Sequence, residues 1–393
     1  MTDETAGLTA AEVAARLGVQ RQTVYAYVSR GLLPRTVAPD GRTSRFDPAD
    51  VERLRQGARA DTEGELHTLI ATRITRVSDD GLLVRGHDLV DLVKERRSFP
   101  DVADLLWLAG PNEAWPTTVP QTVENRPATI DDLRIRTALV SQSDPLRHDL
   151  SAHAVRSAGR TLLTELIQHV PGHALALDGS LADVLWGRLV GAEATAAQRR
   201  CLEAAMTLLI DHGLAGSTFA ARIAASVRAD PYSVVSAGLG VVGGTLHGAA
   251  SAAVHRLFVE VDATGQPAQA VGDARRRTGM IPGFGHAVYQ RQDPRYRALM
   301  AMVLDAWGDD ARVHHVHRVR DVVNERSDAV PNIDLALGSL TWLSGMHPDA
   351  GEVIFAVSRT AGWLAHAMEE YDEPAVRFRP RARWMGGGAG VSR

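Results

Sequence analysis

The sequence predicts a mainly α-helical protein in two parts: a small N-terminal unit of short helices, and a large helical domain filling the rest of the chain. Three observations point there. Apolar residues recur at helical spacing through most of the 393 residues, period-two alternation is confined to short stretches, and a small polar segment divides the two parts. A hydrophobic content of 45% is ample for a large core.

Residues 1–57 read as the separate unit. Thr9 and Glu12 make a T-x-x-E capping box, which opens a helix with Val13, Ala14 and Leu17 on its apolar face and Gly18 as its breaker. A second helix runs from about Arg21 to Arg30, with Val24, Tyr27 and Val28 at core spacing and Gly31 as its stop. Two short helices joined by a glycine turn make a helix-turn-helix pattern, with Arg21, Gln22 and Tyr25 on the outward face of the second. The run 35-RTVAPDGRTSRF-46 reads as a hairpin, because Pro-Asp-Gly is a turn sequence between stretches able to form strands. Asp47 and Pro48 then begin a third helix.

From residue 13 to residue 46, six arginines stand against Asp40 alone, on a chain whose formal net charge is −4. Local charge, helix spacing and hairpin together resemble the winged helix of MerR-type and excisionase-type DNA-binding domains. The resemblance leaves two readings open. One is DNA contact through Arg21, Gln22, Tyr25, Arg42 and Arg45, with a dimer needed to gather enough phosphate contacts. The other is a packing or dimerisation element.

Residues 58–65 are small and charged and read as a linker, leaving 66–393 as the main domain. A hairpin about Asp79-Asp80-Gly81 is its one β signal. The segments 201-CLEAAMTLLIDHG-213 and 352-EVIFAVSRTAGWLAHAMEEY-371 are apolar on most sides, as helices buried in a bundle must be. The acidic balance argues against an anionic membrane or a general nucleic-acid partner. An acidic, polar start and the lack of a long uncharged apolar run lead us to expect neither a secretory signal nor a membrane span. With Cys201 the single cysteine, a cytoplasmic location is expected, and Cys201 itself reads as a buried, inert thiol. The cluster 314-HHVH-317 reads as a solvated helix face rather than a metal site, so no metal is expected.

Four segments place a histidine, aspartate or arginine inside an apolar helix or glycine-rich turn: 211-DHGLAGSTFAAR-222, 243-GGTLHGAASAAVHRLF-258, 281-IPGFGHAVYQRQDPRYRALM-300 and 331-PNIDLALGSL-340. Buried charges and imidazoles are costly unless partnered, so several in one core point to a site. Taken alone, each segment reads more readily as holding a satisfied core residue than a catalyst, and the His286 segment reads equally well as a surface loop with a partly buried ring.

The ordered set RGHDL (85–89), DHGLAGSTFAAR, G-x-LHG (244–248), GFGHAVY-x-x-x-DPR (283–295), PNID (331–334), SRTAGWLAH (358–366) and RPRARW (379–384) resembles the citrate synthase family over 66–393. The resemblance implies an all-helical homodimer with shared active sites. Each subunit would have a large domain and a small one, the latter roughly 247–341, closing on substrate.

The implied reaction condenses acetyl-CoA with oxaloacetate and water to give citrate and CoA, with acyl-CoA as co-substrate and no permanently bound cofactor. Joining a thioester's methyl group to an α-keto acid needs a base, a donor for the developing enolate and a polarised ketone. The resemblance makes Asp334 the base and His247 the donor to the thioester oxygen. His247 is expected at the positive start of a helix, which disfavours imidazolium. It makes His286 the donor to the keto oxygen, on a loop expected to swing in as the small domain closes. Arg295, Arg359 and Arg379 would bind carboxylates, the last in the partner subunit's site, and His212 would also contact oxaloacetate.

Two departures stand out. The family usually reads LHGGANE where this chain has LHGAASA, and Gln290 followed by Arg291 stands where a basic residue often helps to hold CoA. Two other functions stay open. One is 2-methylcitrate synthesis from propionyl-CoA, since one methylene is worth only about 1–3 kcal/mol of discrimination. The other is a DNA-binding regulator that senses a carboxylate or acyl-CoA.

Overall fold

The computed structural model describes residues 7–17, 21–29, 33–37, 43–55, 69–79, 81–111, 113–173, 179–244, 247–286 and 288–380. The helix stops at Gly18 and Gly31, the Pro-Asp-Gly turn, Arg42, the linker 58–65 and the end of the RPRARW motif lie outside them. The chain divides into two compact units, residues 1–71 and 72–393.

The first unit contains β1 (Leu8–Thr9), α1 (Ala10–Leu17), α2 (Arg21–Ser29), β2 (Thr36–Val37), β3 (Ser44–Phe46) and α3 (Pro48–Arg55). The capping box forms: the Glu12 carboxylate accepts from the Thr9 amide at 2.7 Å, and Thr9 Oγ1 accepts from the Glu12 amide at 3.3 Å. β2 and β3 pair antiparallel with Thr36 opposite Arg45, as the hairpin pattern predicts. β1 adds to the other side of β3, a pairing that two residues are too few to announce. Val13, Val24, Leu33, Phe46 and Val51 make the core. Asp47 caps α3 through the Ala49 amide.

The second unit opens with the antiparallel strands β4 (Thr75–Ser78), β5 (Gly81–Val84) and β6 (His87–Asp88). Ser78 pairs with Gly81 as the expected hairpin requires, and Asp80 lies outside the described residues. The helices that follow are α4 (Leu89–Lys94), α5 (Phe99–Trp107), α6 (Ile130–Ser143), α7 (Ala152–Gln168), α8 (Leu181–Val190), α9 (Ala196–Leu209) and α10 (Gly216–Ser226). Then come α11 (Pro231–Val242), α12 (Ala250–Thr264), α13 (Pro267–Thr278), α14 (Pro294–Ala306), α15 (Val313–Asn324), α16 (Ile333–Leu343) and α17 (Ala350–Tyr371). Many starts are written locally. Ser98, Ser180 and Thr195 form capping boxes, while Asp230 and Asp293 cap helices whose first residue is proline.

α17 is the spine, packed against α5, α6, α7, α9, α10, α11, α12 and α16. A helix so enclosed must be apolar nearly all round, which explains its composition. A Cβ at Gly362 would lie 2.5 Å from the Ile210 carbonyl oxygen, so only glycine lets α17 press against the chain leaving α9. Beside this bundle α12 lies on α16, α13 lies on α15, and α14 touches both α16 and α9. Among the described residues no helix is long and apolar enough to cross a membrane.

Two glycines on α11 separate close packing from propensity. A Cβ at Gly238 would sit 2.6 Å from the fully buried Trp363 ring, whereas one at Gly240 meets nothing within 4 Å. Gly238→Ala is therefore expected to cost about 1–3 kcal/mol in urea unfolding. Gly240→Ala should be neutral or stabilise by up to about 1 kcal/mol. Equal effects at the two positions would contradict this packing.

Candidate active site

The turn that carries His286 is built by glycine. Gly283 and Gly285 have φ of +81° and +86°, a region that side chains with a Cβ avoid. The Gly285 amide donates to the Val330 carbonyl at 2.7 Å, the Asn332 amide to Gly283 at 2.9 Å, and Asn332 Nδ2 to Gly285 at 2.8 Å. The turn is thus sewn to the strand-like entry into α16. A loop that swings independently is not what these bonds describe; His286 is fixed to the same piece of chain as Asp334.

The hydrogen bonds also settle the His286 tautomer. Its Nδ1 accepts from the amides of Val288 and Tyr289 at 3.0 and 3.1 Å, so the ring proton sits on Nε2. Burial, and then the Arg295 guanidinium, hold the ring below the usual imidazole range. His212, at the exit of α9, meets His286 edge to face with centroids 5.3 Å apart, and its Nε2 is 3.1 Å from the Tyr289 hydroxyl. Burial depresses its pKa most, followed by Arg295 and Arg359.

Arg295 lies in the first turn of α14, locked by the carboxylate that caps that helix. Asp293 accepts from Arg295 Nε at 3.0 Å and Nη2 at 2.9 Å, and also from the Ile333 amide at 3.0 Å. Arg295 Nη2 stands 3.4 Å from His286 Nε2. Next to Ile333 comes Asp334, whose amide is capped by Asn332 Oδ1. Its carboxyl has no hydrogen-bond partner among the described residues. Burial raises its pKa to about 6, against the opposing pull of Arg295 and Arg359.

Arg359 comes from the middle of α17. It is buried, its Nε donates to the Leu209 carbonyl at 2.8 Å, and its guanidinium lies 4.7 Å from the Phe355 ring centroid. Its two terminal nitrogens have no partner among the described residues, and burial pushes its pKa down to about 10. His247 sits in a turn before α12 rather than within the helix, its amide donating to the Gly244 carbonyl at 2.9 Å. Its Nε2 is 3.0 Å from Ser217 Oγ, and its ring faces Phe355. Burial, then Arg359, lowers its pKa.

Beneath these groups Asp211 is fully buried, bonded to Thr75 Oγ1 at 2.5 Å and to the Gly213 amide at 3.0 Å, with His366 Nε2 at 3.4 Å. Arg222 spans His366, Glu369 and Glu370. The carboxylate is held far below its ordinary range chiefly by His366, with Arg359 and Thr75 adding to it against burial.

The structure therefore gathers His212, His247, His286, Arg295, Asp334 and Arg359. It does not bring Arg379 to them: that side chain is exposed on the segment after α17. Gln290 and Arg291 are exposed on the far end of the His286 loop, where the Gln290 amide donates to Asp79 Oδ1 at 3.1 Å. Arg21, Gln22 and Tyr25 are exposed on α2, and Arg45 Nη1 donates to the Gly7 carbonyl at 2.9 Å. Cys201 is buried, its thiol pushed up to about 12. His315 pairs with Asp262, and no group of three or more metal-ligating side chains occurs among the described residues. Asp293, Ser217 and Tyr289 belong to the site without having been singled out by the sequence, although each lies inside one of the quoted motifs.

Asp334 carries a stability cost with a definite sign. Its carboxyl titrates near 6 when folded and near about 3.9 in an unfolded chain, so the folded state holds the proton more tightly. Stability from this group falls as pH rises from about 4 to about 6, and above that the buried carboxylate costs on the order of 3 kcal/mol. Asp334→Asn should raise the ligand-free melting temperature at pH 7.5 and change it little near pH 4. A variant no more stable at pH 7.5 would show that the carboxylate is not strained there.

Comparison with known proteins bears on this geometry. The family described as "Citrate synthase, C-terminal domain" matches residues 66–381, and a "Helix-turn-helix domain" family matches residues 8–59. A citrate synthase of Haloferax volcanii is 36% identical over 202 residues, a match covering 50% of this chain and 53% of that one. Over fuller lengths, 2-methylcitrate synthase 1 of Corynebacterium glutamicum is 28% identical (80% of this chain, 92% of that one). Citrate synthase 2 of Bacillus subtilis is 29% identical (82% and 95%). Among solved structures, the citrate synthase of Thermoplasma acidophilum in a ternary complex with carboxymethyl coenzyme A and oxaloacetate superposes with a TM-score of 0.66. It covers 83% of this chain and 96% of that one at 21% identity, a likeness of fold.

Proposed function

This chain belongs to the citrate synthase family, and from that premise we propose that it is a condensing enzyme joining the methyl carbon of acetyl-CoA to the keto carbon of oxaloacetate. The observation that carries the reading is the convergence of three neutral imidazoles, one raised carboxyl and two guanidinia with unspent nitrogens.

In this reading the Asp334 carboxylate takes a proton from the thioester methyl group while His247 donates a hydrogen bond to the thioester oxygen as the enol forms. A carboxyl poised near 6 is a stronger base than an ordinary aspartate yet ionised at neutral pH. The enol carbon attacks the keto carbon of oxaloacetate, whose oxygen receives the His286 Nε2 proton's hydrogen bond. Water then cleaves the citryl thioester, releasing citrate and the CoA thiol. Arg295 and Arg359 offer forks to the substrate carboxylates, with His212 beside them. Arg379 is assigned to the site of a second subunit, which makes the active protein a homodimer, and Gln290 and Arg291 to the CoA phosphates. The piece holding His286 and Asp334, about residues 247–341, is assigned as the small domain that closes on substrate.

Propionyl-CoA is the competing thioester, favoured by the similarity to a 2-methylcitrate synthase. Purified protein should release thiol only when oxaloacetate accompanies the thioester, and the ratio of acetyl-CoA to propionyl-CoA rates selects the substrate. No oxaloacetate-dependent release with either would sink the reading. The lower limb of kcat/KM should fall as pH drops through about 6, and Asp334→Asn should abolish turnover while retaining oxaloacetate binding.

A second reading concerns the first unit and rests on its helix-turn-helix family match and the exposed Arg21, Gln22 and Tyr25. We assign it DNA binding, alongside catalysis. Anisotropy of a labelled duplex titrated with intact protein should show affinity that falls steeply with salt and weakens in Arg21→Ala. An absence of binding at low salt would reduce the unit to a packing or dimerisation element.

A further inference from the structure

A second cavity, of about 820 Å³, adjoins the turn that holds Arg295. Gln292 and Pro294, the neighbours of Asp293, form part of its wall, but none of the six gathered residues does. Its volume is that of a small-molecule site. Val90 and Val93 of α4 face it from one side, and Ala298 and Met302 of α14 from another.

Its charges are matched unequally. The acids are engaged: Asp88 accepts from the amides of Val90 and Asp91, Asp91 pairs with Lys94, Asp79 takes the Gln290 amide, and Glu203 takes the Phe99 amide. The guanidinia of Arg96, Arg200 and Arg297 line the same space with no ion pair or hydrogen bond among the described residues.

We propose that this cavity binds a phosphorylated organic anion, with its phosphates on the three free guanidinia and its apolar portion between α4 and α14. Guanidinium forks match phosphate oxygens in pairs, and three around one cavity favour more than one phosphate. An apolar wall beside them selects against inorganic anions alone.

ATP is a suitable probe. Calorimetric titration of the full chain would be run without CoA, the arginine variants below separating this cavity from any site for CoA itself. The measurement needs no turnover and is independent of the proposed reaction. ATP should bind, tripolyphosphate should bind more weakly, and adenosine should not bind measurably. Arg200→Glu combined with Arg297→Glu should weaken ATP by about tenfold or more, as expected for losing charge-assisted bonds. Both side chains are exposed, and the milder Arg297→Gln provides a second variant should the double one fold poorly. No ATP binding, adenosine binding as tightly as ATP, or unchanged affinity in both variants would overturn the proposal.

Discussion

One buried carboxylate, that of Asp293, holds the site together. It closes on Arg295 through two nitrogens, caps α14, and takes the Ile333 amide at the start of α16. A guanidinium buried without a partner would be prohibitively expensive, and a helix start without a cap would fray. The same two oxygens meet both needs. They also fix where Arg295 stands relative to the helix that carries Asp334, so a local ion pair sets a long-range geometry.

Around that pair the electrostatics follow from desolvation. Three imidazoles sit near two guanidinia, and burial and like charge together favour the neutral form of each. Neutral imidazole is a hydrogen-bond donor that does not compete with the arginines for an anion. Asp211 and Asp293 offset the arginines from below, while Asp334, whose carboxyl has no hydrogen bond among the described residues, is raised by burial. Burial, charge and hydrogen bonding together set two carboxyls of one core apart.

Much of this was legible in the sequence, for physical reasons that differ by element. Helix starts such as Thr9, Ser98 and Thr195 depend on residues three apart, so a linear reading finds them. Five of the site residues stood out because a charge or imidazole in an apolar or glycine-rich run is conspicuous, and Arg359 through the resemblance of its SRTAGWLAH motif. Ser217 and Tyr289 did not stand out, because their partners His247 and His212 lie far away in sequence and only packing brings them together. β1 was illegible because two residues carry no period. Arg379 was legible as a motif residue, and the role proposed for it depends on a chain other than its own.

The stitching of residues 283–285 to residues 330–332 has a mechanical consequence. His286 and Asp334, far apart in the chain, ride on one stiff piece. Shifts of the surrounding helices need not alter the spacing of these two residues, so the proposed donor and the proposed base are held in register by the backbone itself.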